Sequence, residues 1–245
     1  GVMGFGTERI EEDVARLFPE VPVSRMDLDT TRSRNAYEQI IDDFSKGKNK
    51  VLIGTQMITK GLDFDRVSVV GILSADQMMN FPDFRAHERA FQMMEQVSGR
   101  AGRKNKKGVV VLQTSDPSSP LIQQVIAHDY EGMYNRQLAE RKAFSYPPYT
   151  RLIYIYLKHR DETLLQELAV RYTTALREVF GSRVLGPDNP PVARIQSLYI
   201  RKVVLKMELA ASMSRVKEIL RQVYENMLVD DRFKSLLLYY DVDPL

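Results

Sequence analysis

Three short, almost unbroken apolar runs constrain this chain most: "KVLI" (50–53), "VSVVGIL" (67–73) and "GVVVLQT" (108–114). Their near-continuity predicts strands buried on both faces, whereas a sheet with one wet face alternates apolar with polar residues. "VPVSRMD" (21–27) reads as a further strand. Between the runs stand amphipathic stretches. "TERIEEDVARLF" opens on Thr7 as N-cap, carries acids in its first turn and sets Ile10, Val14, Leu17 and Phe18 on one stripe. "SRNAYEQIIDDFSKG" starts at Ser33, spaces Tyr37, Ile40, Ile41 and Phe44 helically, and stops at Gly47. Alternation of strand and helix argues for an α/β domain with a parallel sheet. Such sheets place ligands at the carboxyl ends of their strands. "GTQMITKG" directly follows "KVLI" and so falls at that edge.

The stretch from Ser119 to Phe144 reads as one long helix, with Ser119 as N-cap and Pro120 at the first helical position. "SYPPYT" (145–150) then bars a helix and sets a domain boundary, giving domains 1–145 and 146–245. The second domain reads as strand (151–157), helix (162–180), strand (around 192–195), strand (198–209), helix (214–229) and strand (235–240). That order, β-α-β-β-α-β, is the ferredoxin-like split βαβ arrangement. The expected fold class is therefore α/β, a parallel-sheet lobe followed by a smaller α+β domain.

The 245 residues suffice for two ordinary domains, and 44% hydrophobic with 27% charged residues is a globular balance. No uncharged run approaches the length of a membrane span, and the first residues lack the basic start of a signal peptide. Zero cysteines exclude disulfides and thiolate metal sites and suit a reducing compartment, with a cytoplasmic setting expected. Three scattered histidines make a metal site from this chain alone unexpected. The net charge of +3 lies entirely in the second domain, where 15 Lys and Arg face 12 Asp and Glu from Tyr146 onward.

Two segments carry chemistry. In "QVSGRAGR" (96–103), Arg100 and Arg103 stand three residues apart, each preceded by a glycine. Guanidinium forks match phosphate oxygens bidentately, and the spacing keeps both on one side of a helical turn. A helix C-terminus with basic residues satisfying its dipole would use the same residues. In "GTQMITKGLDF" (54–64), backbone amides, two threonine hydroxyls, Lys60 and Asp63 follow a strand, and such donors commonly position nucleic-acid phosphates. An ordinary βα loop is the other reading. The sequence holds no G-x-x-x-x-G-K-[ST] cradle for a nucleotide.

Taken in order, Gly54-Thr55-Gln56-Met57 with Lys60-Gly61, Ala75-Asp76, Pro82-Asp83-Phe84-Arg85-Ala86 with Glu88-Arg89, and Gln96-Val97 with Gly99-Arg100-Ala101-Gly102-Arg103 resemble motifs V and VI of superfamily 2 helicases. More narrowly they resemble the PriA-type replication-restart DNA helicases, the primosomal protein N′ family. "GTER" with "IEE" near the start, "RMDLDTTR" (25–32) and "YPPYTRL" (146–152) add to the likeness. One departure is Asp65 after Phe64, where the family often has a Phe-Pro pair.

The resemblance implies a second RecA-like lobe and an S10-like C-terminal domain. It implies that Gln96, Arg100 and Arg103 face the phosphates of ATP bound mainly by another lobe, with Arg103 as arginine finger. Thr55 and Gln56 would touch the DNA backbone, and Lys60, Gly61 and Asp63 would couple hydrolysis to movement. The family's zinc region precedes the "GTER" stretch, so zinc is expected only upstream and the chain is expected to be a fragment starting after it. ATP and Mg²⁺ are the expected cofactors of the intact protein, and this chain alone is expected to be inactive. DNA, forked or single-stranded, and other primosome and single-strand-binding proteins are the expected partners. Arg194, Arg201, Lys202 and Lys206, with Tyr199 among them, are candidates for a nucleic-acid surface, against a solvated strand face as the alternative. Strand alternation separates the odd-numbered Arg201 from the other three. The rival functions are a non-enzymatic nucleic-acid-binding or adaptor module and another superfamily 2 translocase.

Overall fold

The computed structural model describes residues 6–27, 29–55, 67–99, 101 and 108–244, without the side chain of Arg34. The chain divides into two compact units, 1–135 and 136–245.

The first unit runs α1 (Thr7–Leu17), β1 (Val23–Met26), α2 (Arg34–Ser45), β2 (Val51–Gly54), β3 (Val69–Ile72), α3 (Ala75–Met79), α4 (Ala86–Ser98), β4 (Val109–Leu112), α5 (Pro120–Ile126) and the start of α6 (Tyr130–Ala143). Strands β1 and β2 pair in parallel, Met26 opposite Gly54, and β3 and β4 pair in parallel, Ile72 opposite Leu112. Helix α2 begins where expected: the Ser33 hydroxyl accepts from the Ala36 amide at 3.2 Å. Its stripe Tyr37, Ile40, Ile41 and Phe44 packs around buried Met26. Beyond its end Gly47 takes a left-handed conformation, φ 74°, that favours glycine. A second cluster joins Ile72, Phe91, Met94, Leu121, Ile122, Val125 and Met133.

Four expectations for this unit change. Thr7 does not cap α1; Gly6 holds that position and the Thr7 hydroxyl is used elsewhere. The apolar stripe of α1 is not buried either, with Leu17 and Phe18 exposed. The strands are not buried on both faces: Val69 is 62% exposed and Val109 and Val111 are each 55% exposed, while Val70 and Val110 pack on the α4 cluster. Valine suits a pleated strand whether or not both faces are covered, so an apolar run fixes the strand and not its burial. The long helix is two helices. His128 adopts φ 53°, and Asp129 then starts α6, its carboxylate accepting from the Gly132 amide at 2.8 Å.

The second unit contains β5 (Thr150–His159), α7 (Glu162–Phe180), β6 (Val184–Asp188), β7 (Arg194–Ile195), β8 (Leu198–Glu208), α8 (Met213–Met227) and β9 (Leu237–Val242). The antiparallel sheet has the order β6-β8-β5-β9, which is the split βαβ topology expected. Alternation decides its two faces. Ile153, Ile155 and Leu157 of β5 and Val203 and Leu205 of β8 turn to one side, where Leu165, Leu168, Tyr172 and Leu176 of α7 and Val216 and Leu220 of α8 close the core. Asp161 caps α7 by accepting from the Leu164 amide at 2.9 Å. The buried Tyr172 hydroxyl meets that of Tyr240 at 2.9 Å, and burial raises its pKa.

The second strand of this unit is Val184–Asp188, not the stretch around Val192, which contributes only the two-residue β7. Gly186 and Pro187 disguise β6 as a turn, yet both are tolerated at a sheet edge with an irregular register. Gly186 sits at φ 102°, and a Cβ there would stand 2.8 Å from the Lys202 carbonyl oxygen.

Candidate functional site

Some of the residues singled out in the sequence, Asp27, Thr55 and Asp76 among them, follow the carboxyl ends of the two parallel strand pairs. Just past β1, the Asp27 carboxylate accepts the Thr7 hydroxyl at 2.6 Å and the amides of Asp29 and Thr30, each at 3.0 Å. Arg25 lies 3.3 Å from it and reaches Glu11 at 3.2 Å. The Thr7 hydroxyl, then the Thr30 amide, hold the Asp27 pKa down at about 2. Thr7, Glu11, Arg25 and Asp27 thus fasten α1 to the exit of β1. Thr55, immediately after β2, is exposed at the same end of that pair.

At the end of the β3/β4 pair, Ser74 takes φ 56° and the Ala75 amide donates to the Gln113 carbonyl at 3.0 Å. Asp76 accepts the Thr114 hydroxyl at 2.5 Å and the Ser115 amide at 2.8 Å; hydrogen bonding by the Ser115 side chain first, then by Thr114 and the Ser115 amide, lowers its pKa. Asp83 accepts from the Arg85 amide at 2.7 Å and from Arg89 at 3.3 Å, organising the entry to α4. In the last turns of α4, Glu95 pairs with His128 at 2.9 Å, and Gln96 is exposed one residue further on. The Gly99 amide donates to the Glu95 carbonyl at 2.9 Å as the C-cap of α4, and the Ala101 amide donates to the Ser98 carbonyl at 3.1 Å. Arg100, Arg103, Gln56, Lys60, Gly61 and Asp63 lie outside the described residues.

The basic candidates of the second unit part company. Arg201 is 7% exposed and turns to the helix side of the sheet. It donates to Gln166 at 2.7 Å, to Glu162 at 3.0 Å and to the Ile200 carbonyl at 3.1 Å, so its donors serve the fold rather than a ligand. Arg194 stands at the sheet's end, 4.8 Å above the Tyr199 ring. Lys206 donates to the Phe144 carbonyl at 2.7 Å and lies 3.8 Å over Tyr146; burial lowers its pKa. Lys202 shares its face of β8 with Lys206, its ammonium 3.3 Å over the Tyr154 ring. Tyr156, Tyr239 and Lys158 complete that patch and were not foreseen, although "RLIYIYLKH" sets Tyr154, Tyr156 and Lys158 at every second position.

Comparison with known proteins shows what each half of the chain is similar to. Residues 5–105 match the helicase conserved C-terminal domain family, and residues 142–245 match the primosomal protein N C-terminal domain family. Replication restart protein PriA of Bacillus subtilis is 39% identical over 98% of this chain and 30% of its own length. Those of Synechocystis and Treponema pallidum are 35% and 37% identical over 99% of this chain, and 28% and 36% of their own lengths. Over nearly its whole length the chain is similar to these replication restart proteins.

It spans about a third of the length of these relatives. The solved C-terminal domain of the DEAD-box protein Dbp5 aligns more loosely, with TM-score 0.32 and 22% identity over 56% of this chain and 64% of its own. The motif residues of this chain divide by what they touch. Thr7, Arg25, Asp27, Asp76 and Asp83 hold elements together through short polar contacts. Thr55 lies exposed just after β2 and Gln96 lies exposed in the last turn of α4; the remaining residues of their motifs lie outside the described residues.

Proposed function

We propose that this chain serves as the C-terminal part of an ATP-dependent DNA helicase that restarts stalled replication, completing an ATP site whose phosphate cradle belongs to another lobe. The observation that carries the reading is the succession, in one chain, of a helicase C-terminal domain and a primosomal protein N C-terminal domain. The sequence spacing of Gln96, Arg100 and Arg103, four and then three residues apart, supports setting them along one side of a helical turn. A carboxamide and two guanidiniums suit the phosphate end of a nucleotide. Arg103 holds the charge that grows on the transferred phosphoryl group, and Arg100 and Gln96 orient it. Among the described residues no three His, Asp or Glu side chains gather around a point, so Mg²⁺ would be held by the phosphates and by residues outside this set. ATP with Mg²⁺ supplies the free energy of hydrolysis that drives movement along DNA.

Thr55 and Gln56 contact the DNA backbone, and Lys60, Gly61 and Asp63 link that track to the nucleotide. Lys202 and Arg194 add cationic contacts from the second unit, with primosome and single-strand-binding proteins as partners in the cytoplasm. Among the described residues no helix is long and apolar enough to cross a membrane.

Replacing Arg103 by Ala in a polypeptide that carries the whole motor tests this. DNA-stimulated kcat is expected to fall by about 10³ or more, with KM for ATP little changed. Arg103→Lys is expected to fail as well, since an ammonium lacks the planar fork. Near-normal turnover in either variant would overturn the assignment.

A further inference from the structure

We propose that the helix-free face of the C-terminal sheet, built by Tyr154, Tyr156 and Tyr239 with Lys158 and Lys202, binds single-stranded DNA by stacking bases on its tyrosines. This rests on the DNA-binding reading above and gives it a site and a strand state.

The face exists because β5 and β8 alternate. Odd positions from Ile153 to Leu157 enter the core, which leaves Tyr154, Tyr156 and Lys158 on the other side with Lys202 of β8. Strand β9 brings Tyr239 directly opposite Tyr156, and the residue is 42% exposed at the sheet's edge. The two rings lie nearly parallel, 16° apart with centroids at 4.8 Å, while Tyr154 meets Tyr156 edge-on at 6.3 Å. Aromatic surface is thus spread over two neighbouring strands and held by the ladder rather than by a loop.

Cations cover these rings. The Lys158 ammonium lies 4.7 Å from the Tyr239 centroid, and that of Lys202 lies 3.3 Å from Tyr154 and 6.0 Å from Tyr156. Tyr239 is exposed and Tyr154 and Tyr156 are half-buried, and a phosphate oxygen offers each ammonium a full charge and a hydrogen bond that a ring does not. A bound strand therefore draws both lysines onto its backbone and uncovers ring faces for its bases. Asp241 lies opposite Tyr154 and Asp188 opposite Lys202 in the register, bounding the cationic strip with charges that repel phosphate. The combination of ring faces with cations between them fits unpaired nucleotides. A duplex keeps its base faces stacked on one another and can offer these rings only its backbone.

Fluorescence anisotropy of the 245-residue chain with labelled oligo(dT), and with a duplex of equal length, tests the proposal. The wild type is expected to bind oligo(dT) more tightly than the duplex. Tyr239→Ala and Tyr156→Ala are each expected to weaken oligo(dT) binding roughly 5- to 150-fold, leaving duplex binding within about twofold. The pair Tyr156→Phe and Tyr239→Phe keeps the rings and is expected to retain affinity, which separates stacking from loss of fold. Lys158→Ala with Lys202→Ala is expected to flatten the log–log salt slope by about 1.4, two phosphates at about 0.7 each. Oligo(dT) affinity unchanged by the alanine variants, or lowered equally on duplex, would overturn the stacking platform and leave general DNA binding standing. No binding of either DNA by the wild type would overturn DNA binding by this chain as well.

Discussion

Arg201 offers the sharpest separation between a residue of the fold and a residue of the surface. Arg201→Met keeps the aliphatic stem and removes a guanidinium that bonds Glu162 and Gln166. The charge-assisted bond to Glu162 is worth about 1.5–3 kcal/mol and the bond to Gln166 about 1 kcal/mol. Two effects reduce that sum. Glu162 is 53% exposed, so water can replace its partner, and no guanidinium need then be desolvated in a side chain only 8% exposed. A net loss of about 2 kcal/mol remains, on the order of 10 °C in Tm for a unit of this size. Thermal unfolding by far-UV circular dichroism measures it, with oligo(dT) anisotropy on the same samples. Destabilisation with little change in DNA affinity below the transition is the expected pair of results. A Tm within about 2 °C of wild type together with a tenfold loss of DNA affinity would refute the reasoning, because the guanidinium would then be serving a ligand.

Acid should loosen the α1–β1 junction. The folded pKa of Asp27, about 2, lies below its unfolded value, so its contribution is complete above about pH 4 and is lost as pH falls toward 2. Thr7→Val removes the largest cause of that shift and is expected to flatten this limb of a urea-midpoint-against-pH curve; an unchanged limb would show that the bond is not made. Gly186→Ala forces a Cβ against the Lys202 carbonyl oxygen at 2.8 Å in a left-handed conformation. It is expected to cost about 2 kcal/mol or more by chemical denaturation, and a neutral result would contradict the described course of β6.

Periodicity made much of this fold legible. Helix α7 spans the stretch that its apolar spacing marks out, 162–180, and the split βαβ order follows from element sequence alone. What stayed hidden depends on neighbours rather than on spacing. β6 hides because Gly186 and Pro187 look like a turn until an edge position excuses them. The break at His128 hides because Asp129 caps locally within a pattern that suits a continuous helix. The basic candidates show the same limit in the site. Lys202 and Arg201 are adjacent in sequence, yet alternation sends one onto the tyrosine face and the other to Glu162. The tyrosine patch itself spans β5 and β9, more than eighty residues apart, and only the register joins Tyr156 to Tyr239.

The most direct measurement of the account is ATP turnover by the 245-residue chain with Mg²⁺ and forked DNA. The sequence holds no Walker-type phosphate cradle, so hydrolysis no faster than the blank is predicted, while a polypeptide carrying the preceding lobe turns over ATP in a DNA-dependent way. DNA-stimulated hydrolysis by the chain alone, abolished by Arg103→Ala, would contradict the claim that its arginines complete a site held by another lobe.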